Sequence, residues 1–98
     1  MSSFQAILNN SKPVLIDFYA EWCGPCKTMV PVLEELKKNM GDQIRILKID
    51  IDKNQALVAK HQIRGVPTLL LIQEDKILWK QSGAVDARTL QMTIQSHL

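Results

Sequence analysis

The stretch VLIDFYAEWCGPCK, residues 14–27, joins a nearly continuous apolar run to two cysteines, Cys23 and Cys26. An apolar, β-rich run of this length is typical of a strand that is covered on both faces of a sheet. Beyond the cysteines, apolar residues recur at helical spacing at positions 29, 33, 36 and 40, and Gly41 follows as a stop signal. The sequence therefore predicts a buried strand that leads into a helix at the two cysteines, with a kink at Pro31.

The flanking sequence carries the periodic apolar patterns and capping residues of further helices and strands. Before the central stretch, these features are a capping box at Ser2–Gln5 and a helix face formed by Phe4, Ile7 and Leu8. After the central stretch, the sequence predicts a strand over residues 44–51 and then a helix that carries Leu57 and Val58 and is capped by Asp52 or Asn54. Two strands follow, over residues 68–73 and 76–81. The last predicted helix has Asp86 in its first turn and an apolar stripe of Ala87, Leu90, Ile94 and Leu98.

The order of these elements predicts the fold class. Helical crossovers give a sheet that is parallel at first, and the tight Glu74-Asp75 turn closes it with an antiparallel hairpin. We expect an α/β fold, a three-layer α/β/α sandwich with a mixed four-stranded sheet, built as a single domain over residues 1–98.

Composition and charge exclude several classes of protein. A hydrophobic fraction of 46% is ordinary for a globular domain, and a net charge of +2 gives no basis for binding nucleic acid or a membrane. Two cysteines are too few for the disulfide scaffold of a small secreted protein. The N-terminal residues do not resemble a secretory signal, and no apolar run approaches the roughly 20 residues of a membrane span. These features predict a cytoplasmic protein.

The position of the two thiols suggests chemistry. Cys23 lies at the predicted helix start, where unpaired N–H groups and the helix dipole favour its thiolate, and Cys26, one turn further, is expected to be less exposed. One thiol that attacks and a second that displaces the product are sufficient for dithiol–disulfide exchange. Two alternatives to a redox-active pair remain: the cysteines could be unrelated buried residues, or they could supply half of the ligands of a zinc site. A zinc site is disfavoured because only His61 and His97 could complete it, and their spacing fits no zinc finger.

Asp17 is a second candidate for a role in this chemistry. It shares a strand face with Leu15 and Tyr19, so we expect a buried carboxyl group whose pKa is raised by desolvation. Its role is either to accept and donate a proton for Cys26 or to serve as a structural carboxylate with a hydrogen-bond partner.

Lys48 lies on the neighbouring β-rich run. Because it alternates with Ile44 and Ile46, its side chain is expected to reach inward, although a plain surface lysine is the competing interpretation.

These motifs closely resemble the thioredoxin family over nearly the whole chain. Residues 17–27 look like the family's active-site segment, and Pro31 is similar to its helix-kinking proline. Residues 64–68 resemble the loop that carries its cis-proline, and Gly83 lies where the family has a glycine beside the substrate groove. The resemblance implies a thioredoxin fold that lacks the usual N-terminal strand. Residues 44–49 would then lie at an unprotected sheet edge, which predicts a protein that is mainly monomeric but dimerises weakly. It also supports Asp17 as the proton acceptor and donor for Cys26, with Lys48 near that carboxylate.

The resemblance further implies a surface on which substrates dock. A cis Val66–Pro67 bond would bring Pro67 against the cysteines and leave the Val66 backbone free to pair with an extended substrate segment. The residues of this small, mainly apolar surface would be Trp22, Gly24, Pro25, Val66, Pro67, Gly83 and Ala84. Such a surface discriminates weakly between substrates.

Taken together, the resemblance implies a protein-disulfide reductase. Cys23 would attack a substrate disulfide, Cys26 would resolve the mixed disulfide, and a Cys23–Cys26 bond would remain. An NADPH-dependent thioredoxin reductase would restore the dithiol, so the chain would carry electrons for cell redox homeostasis and need no cofactor or metal of its own. Two other readings stay open: a redox-gated binding module or subunit for a partner enzyme, and a dimer bridged by metal through Cys23 of each chain.

Overall fold

A computed structural model describes residues 3–98 of the chain. It contains four helices, four strands and a short 3-10 turn at Gly41–Gln43. In chain order the elements are α1 (Ser3–Leu8), β1 (Val14–Tyr19), α2 (Gly24–Met40), β2 (Arg45–Asp50), α3 (Gln55–Lys60), β3 (Thr68–Gln73), β4 (Lys76–Ser82) and α4 (Ala87–Ser96). The predicted order of elements is confirmed. The capping box expected at Ser2–Gln5 involves a residue outside the described part of the chain.

The four strands form one mixed sheet in the order β2-β1-β3-β4. β1 pairs with β2 in parallel and with β3 antiparallel, and β3 and β4 form the antiparallel hairpin. β1 and β3 are central and almost wholly buried, which explains their nearly continuous apolar sequences. The mixed four-stranded sheet is therefore as predicted, with β2 at one edge.

The two faces of the sheet are covered by different helices. On one face, Leu15 of β1 packs with the apolar stripes of α2 and α4, including Met29 and Leu90. On the other face, Ile16 and Phe18 pack with residues of α1 and α3. Because side chains alternate along a strand, Asp17 points to the same face as Leu15, towards α2.

Local signals in the sequence account for most element ends. Gly41, at φ +57°, ends α2, and the Asp86 carboxylate accepts a hydrogen bond from the Thr89 N–H at the start of α4. The Glu74-Asp75 turn has positive φ at both residues, the geometry of a type I′ hairpin turn. α2 runs continuously through Pro31.

Two local expectations are wrong. Asn54 precedes α3, but its side chain makes no capping bond and instead donates to the Asp50 carbonyl 2.9 Å away, which fixes the loop rather than the helix. Leu98 does not join the stripe of α4, because the helix ends at Ser96 and leaves the Leu98 side chain 51% exposed.

Candidate functional site

Cys23 and Cys26 lie at the N-terminus of α2, directly beyond the end of β1. Cys23 is the N-cap residue and is disulfide-bonded to Cys26, with Cα atoms 5.3 Å apart. The backbone N–H of Cys26 donates to Cys23 Sγ over 3.1 Å. An N–H group that points at this sulfur from a helix N-terminus would also stabilise a thiolate there once the disulfide is reduced.

The expected difference in exposure between the two cysteines is wrong for the oxidised protein. Cys23 is 5% exposed and Cys26 is 4% exposed, because both pack with Ala20 and against Tyr19, Ile51 and Val66. The two sulfurs differ in their surroundings instead. Cys23 Sγ lies 3.7 Å from the Val66 carbonyl oxygen, whereas Cys26 lines a cavity on the side of α2 that faces β2.

The Val66–Pro67 loop lies against Cys23. The Val66–Pro67 peptide bond is cis, as the resemblance implied. Pro67 is buried, and its carbonyl accepts a hydrogen bond of 2.8 Å from the N–H of Gly83. Within residues 3–98, the Val66 backbone has no backbone hydrogen-bond partner, so its N–H is free to pair with another chain. Among these residues, its carbonyl oxygen contacts only Cys23 Sγ.

The residues predicted to form the docking surface lie on three segments of the chain. Trp22, Gly24 and Pro25 are exposed beside Cys23 in the chain, and Trp22 is 69% exposed. Val66 and Pro67 form the neighbouring loop, to which Gly83 is hydrogen-bonded. The remaining predicted residue, Ala84, is exposed next to Gly83 along the chain.

One residue of this surface was missed by sequence reasoning. The Trp22 indole Nε1–H donates to the Asp52 carboxylate over 2.9 Å, which fixes the ring over the loop that follows β2. The sequence suggested Asp52 only as a helix cap. The useful signal was its position, because the carboxyl ends of the parallel strands β1 and β2 lie at the same end of the sheet, which brings Trp22 and Asp52 together.

Asp17 is buried as predicted, with only 1% of its surface exposed. Its Oδ1 atom is buried without a hydrogen-bond partner among the described residues. Burial raises the pKa of Asp17 from 3.8 to about 6, and the positive charge of Lys48 opposes part of this rise. A purely structural carboxylate would be expected to have its buried oxygens paired, which is not the case for Asp17 Oδ1 among the described residues.

Lys48 is the register partner of Asp17 across the β1–β2 pair. Its side chain does not reach inward as the alternation suggested, because it is exposed and its Nζ atom lies 5.3 Å from the centre of the Tyr19 ring, a cation–π contact at the sheet edge. Lys48, Tyr19 and Cys26 line the same cavity of about 260 Å³. This cavity brings the Lys48 charge to the side of the second cysteine.

The two histidines do not join this site. His61 is half-buried with its ring centre 6.2 Å from that of Phe18, on the opposite face of the sheet, and burial and then the charges of Lys60 and Lys80 lower its pKa. His97 is exposed at the end of α4. Within residues 3–98, no group of three or more His, Cys, Asp or Glu side chains could hold a metal ion. None of the helices in this part of the chain is long and apolar enough to cross a membrane.

A disulfide at a helix N-terminus, beside a cis-proline loop on a mixed sheet, defines the class of thiol–disulfide oxidoreductases with this fold. The thioredoxin family model matches residues 1–96 of the chain. Thioredoxin Y, chloroplastic, of Oryza sativa subsp. japonica is 43% identical over 98 residues, which cover 99% of this chain and 58% of that protein. Thioredoxin of Acidithiobacillus ferridurans is 44% identical over 92 residues, which cover 94% of this chain and 85% of that protein.

A solved structure agrees with these sequence relatives. A mutant thioredoxin from Halobacterium salinarum NRC-1 superposes with a TM-score of 0.88 at 36% identity, covering 99% of this chain and 84% of that one. The chain belongs to the thioredoxin family, and its paired cysteines make this domain a thiol–disulfide oxidoreductase. It spans somewhat less than three fifths of the rice relative's length.

Proposed function

We propose that the chain reduces protein disulfides, with Cys23 as the attacking nucleophile and Cys26 as the resolving thiol. The observation that carries this assignment is the Cys26 N–H, which donates to Cys23 Sγ at the start of α2. This donor and the helix dipole both stabilise negative charge on Cys23, and no corresponding donor to Cys26 Sγ is found among the described residues.

The exchange proceeds in two balanced steps. The Cys23 thiolate attacks one sulfur of the substrate disulfide, forms a mixed disulfide and expels the other sulfur, which takes up a proton. Cys26 then loses its proton and attacks Cys23 Sγ, which releases the second substrate thiol and leaves the Cys23–Cys26 bond. Two electrons pass from the dithiol to the substrate.

Asp17 is the proposed base for the second step. Its raised pKa of about 6 lies near neutrality, where a carboxylate can accept a proton and later return it. Lys48 is proposed to modulate Asp17, since it is paired with Asp17 in register and lines the cavity beside Cys26.

Substrates are proposed to dock across the exposed residues Trp22, Gly24 and Pro25 and the loop at Val66–Pro67, with Gly83 and Ala84 at the far side. The N–H and carbonyl of Val66, which have no backbone partners among the described residues, would pair with an extended substrate segment next to its disulfide. Contacts to backbone and apolar surface give little sequence selectivity, so a broad range of disulfide proteins is expected.

We further propose that residues 1–98 act as one domain, that an NADPH-dependent thioredoxin reductase restores the dithiol, and that the protein works in the cytoplasm. Family membership supports protein disulfides as the class of substrate. The relatives include proteins named as chloroplastic, so the compartment needs a direct test, for which a fluorescent fusion imaged in the source cell is suitable.

The proposed roles of the cysteines are tested by trapping. Cys26→Ser should accumulate a stable mixed disulfide through Cys23, and Cys23→Ser should abolish reduction of a generic disulfide protein such as insulin in a reductase-coupled assay. Mass spectrometry of the trapped adduct identifies the attacking residue, and thermal unfolding checks that both variants are folded.

Adducts on Cys26 in the wild-type protein would reverse the proposed roles. A wild-type protein that the reductase reduces, but that does not turn over insulin while still binding a partner enzyme, would favour the alternative function as a redox-gated binding module.

A further inference from the structure

The outer edge of β2 presents backbone groups that no other strand covers in the part of the chain that the structure describes. The N–H groups of Arg45 and Ile51 donate to carbonyls of the β1 side, those of Pro13 and Tyr19. Because backbone direction alternates along a strand, the N–H and carbonyl groups of Ile46 and Lys48 point away from β1. These two residues form a short template for strand addition.

At each end of this template, a side chain already occupies the outward-facing carbonyl group. Lys37 Nζ donates to the Ile44 carbonyl over 3.0 Å, and Asn54 Nδ2 donates to the Asp50 carbonyl over 2.9 Å. The free carbonyls at the edge are therefore those of Ile46 and Lys48. An added strand could pair over only about four residues, which is short but within the usual range of strand lengths.

A groove runs beside this edge, between α2 and β2. Its volume is about 360 Å³, and its apolar lining comes from Val30, Leu33 and Ile46. Val30 and Lys48 also line the cavity beside Cys26, so the groove adjoins the dithiol site along the sheet edge. A partner seated at the disulfide could therefore reach the groove.

The charges around the groove distinguish between possible occupants. Lys37, Arg45 and Lys48 contribute three positive charges, and Glu34 contributes one negative charge. A second copy of the chain would bring Arg45 and Lys48 against their own counterparts, whereas an acidic segment would meet opposite charge.

The other edge of the sheet does not offer the same site. β4 is paired to β3 across a register irregularity between Leu71 and Ile72, which distorts the hairpin. Lys80 of β4 is used to hold the end of α3, since its Nζ atom donates to the carbonyls of His61 and Gln62.

We propose that the β2 edge and its groove bind an extended acidic segment of a partner protein. The segment pairs with the backbone of Ile46 and Lys48, places an apolar side chain in the groove against Val30 and Leu33, and presents carboxylates to Arg45. This binding is independent of thiol chemistry, and it provides a second point of attachment for partners that also engage the disulfide.

The test uses the oxidised wild-type protein and a capped peptide without cysteine, acetyl-Glu-Val-Glu-Val-Glu-Val-Glu-Val-amide. Titration followed by NMR should shift the backbone amides of Ile46 and Lys48 and slow their hydrogen exchange. Arg45→Glu should weaken binding by about fivefold or more at low salt, and Arg45→Gln by less. The matched control, Lys76→Glu on the edge strand β4, should change the affinity by less than about twofold.

Two peptide variants separate strand addition from simple charge attraction. Replacing every Glu by Lys should abolish binding, and N-methylation of alternate peptide groups should do the same because it removes the ladder hydrogen bonds. Equal binding of either variant would overturn the proposal. So would amide shifts that cluster on β4 or at Val66, or a wild-type protein that shows no shift at millimolar peptide.

Discussion

The Asp17 carboxyl group has a pKa of about 6 because burial disfavours its charged form more than the Lys48 charge favours it. An unfolded chain releases this proton near pH 3.8, so between that value and pH 6 the native protein holds more protons than the unfolded one. Stability from this group is intact below the unfolded value and falls as the pH rises through the window. The loss above pH 6 is on the order of 3 kcal/mol.

Asp17→Asn removes the charge at nearly constant volume and should therefore stabilise the protein at pH 8. We expect a gain of up to about 3 kcal/mol in the free energy of unfolding at pH 8 and little change near pH 3, measured by denaturant unfolding. Asp42→Asn, at an exposed position in the 3-10 turn, is the control and should give no such pH-dependent gain. An Asp17→Asn variant that is no more stable than the wild-type protein at pH 8 would contradict the burial argument.

The same Asp17→Asn variant should slow the release step of exchange, because Cys26 loses its proton acceptor. Single-turnover kinetics at pH 7 should show a mixed disulfide that persists about tenfold or more longer, while the first attack by Cys23 changes less. Normal release from a stabilised variant would leave Asp17 with a role in stability alone.

Removing the Lys48 charge should move the Asp17 pKa further up. The positive charge of Lys48 lowers this pKa, so Lys48→Gln is expected to raise it above 6. Titration of the Asp17 carboxyl carbon by NMR in the oxidised protein measures the change, and Lys38→Gln, on an exposed part of α2, serves as the control. An unchanged Asp17 pKa would show that the Lys48 ammonium over the Tyr19 ring is too well solvated to act on it.

At the level of elements, the two residues of the hairpin turn between β3 and β4 have an unfavourable backbone conformation, and this turn is remote from the active site. Glu74 and Asp75 have φ values of 52° and 64°, in the left-handed region that Asn and Gly adopt at lower cost. Their N–H groups donate to the carbonyls of Asn10 and Leu8, and these bonds do not depend on the side chains. The turn lies at the end of β3 opposite to Thr68 and the Pro67 loop.

The double variant Glu74→Asn, Asp75→Gly should stabilise the protein without altering its chemistry. We expect a gain of about 1 kcal/mol in the free energy of unfolding, since the type I′ turn is then built from its preferred residues. The rate of disulfide exchange should stay at the wild-type value, which is the internal control. Loss of stability would mean that the Glu74 or Asp75 side chain makes a contribution larger than the relief of strain.

The elements could be predicted because their signals are local. The two-sided burial of β1, the stripe of α2 and the stop at Gly41 all follow from neighbours within a few positions of the chain. The failures are non-local. The Trp22–Asp52 hydrogen bond joins residues 30 positions apart, and the near-equal burial of the cysteines depends on the packing of Val66 against Cys23.

The same limit explains the outcome for Lys48. Alternation along β2 correctly gives its face, which it shares with Ile46, but does not determine where a long flexible side chain ends. The Tyr19 ring across the strand pair and the open edge of the sheet draw the ammonium outward into water. The final position of the Lys48 side chain depends on its tertiary neighbours and on solvent access. The spacing of apolar residues in the sequence gives no information about either.

At the scale of the whole molecule, the open β2 edge makes a prediction about self-association. A symmetric antiparallel pair of β2 strands would bury only the short stretch at Ile46–Lys48 and its groove, and stable interfaces need about 1,000 Å² or more. Arg45 and Lys48 of each copy would also repel those of the other. We therefore expect a monomer at micromolar concentration and a dimer with a dissociation constant on the order of 1 mM.

The dependence of the dimer dissociation constant on salt concentration tests whether charge repulsion limits dimerisation. Screening weakens the repulsion, so the dimer should become tighter as the salt concentration rises, the opposite of the salt effect expected for the acidic peptide. Arg45→Ser should strengthen the dimer at low salt, and Lys76→Ser on β4 should not, because the β4 edge takes no part in the pairing. Sedimentation equilibrium at millimolar protein measures both effects. If the protein stays monomeric at that concentration with and without salt, the β2 edge does not pair with itself, and charge repulsion is then not what keeps the copies apart.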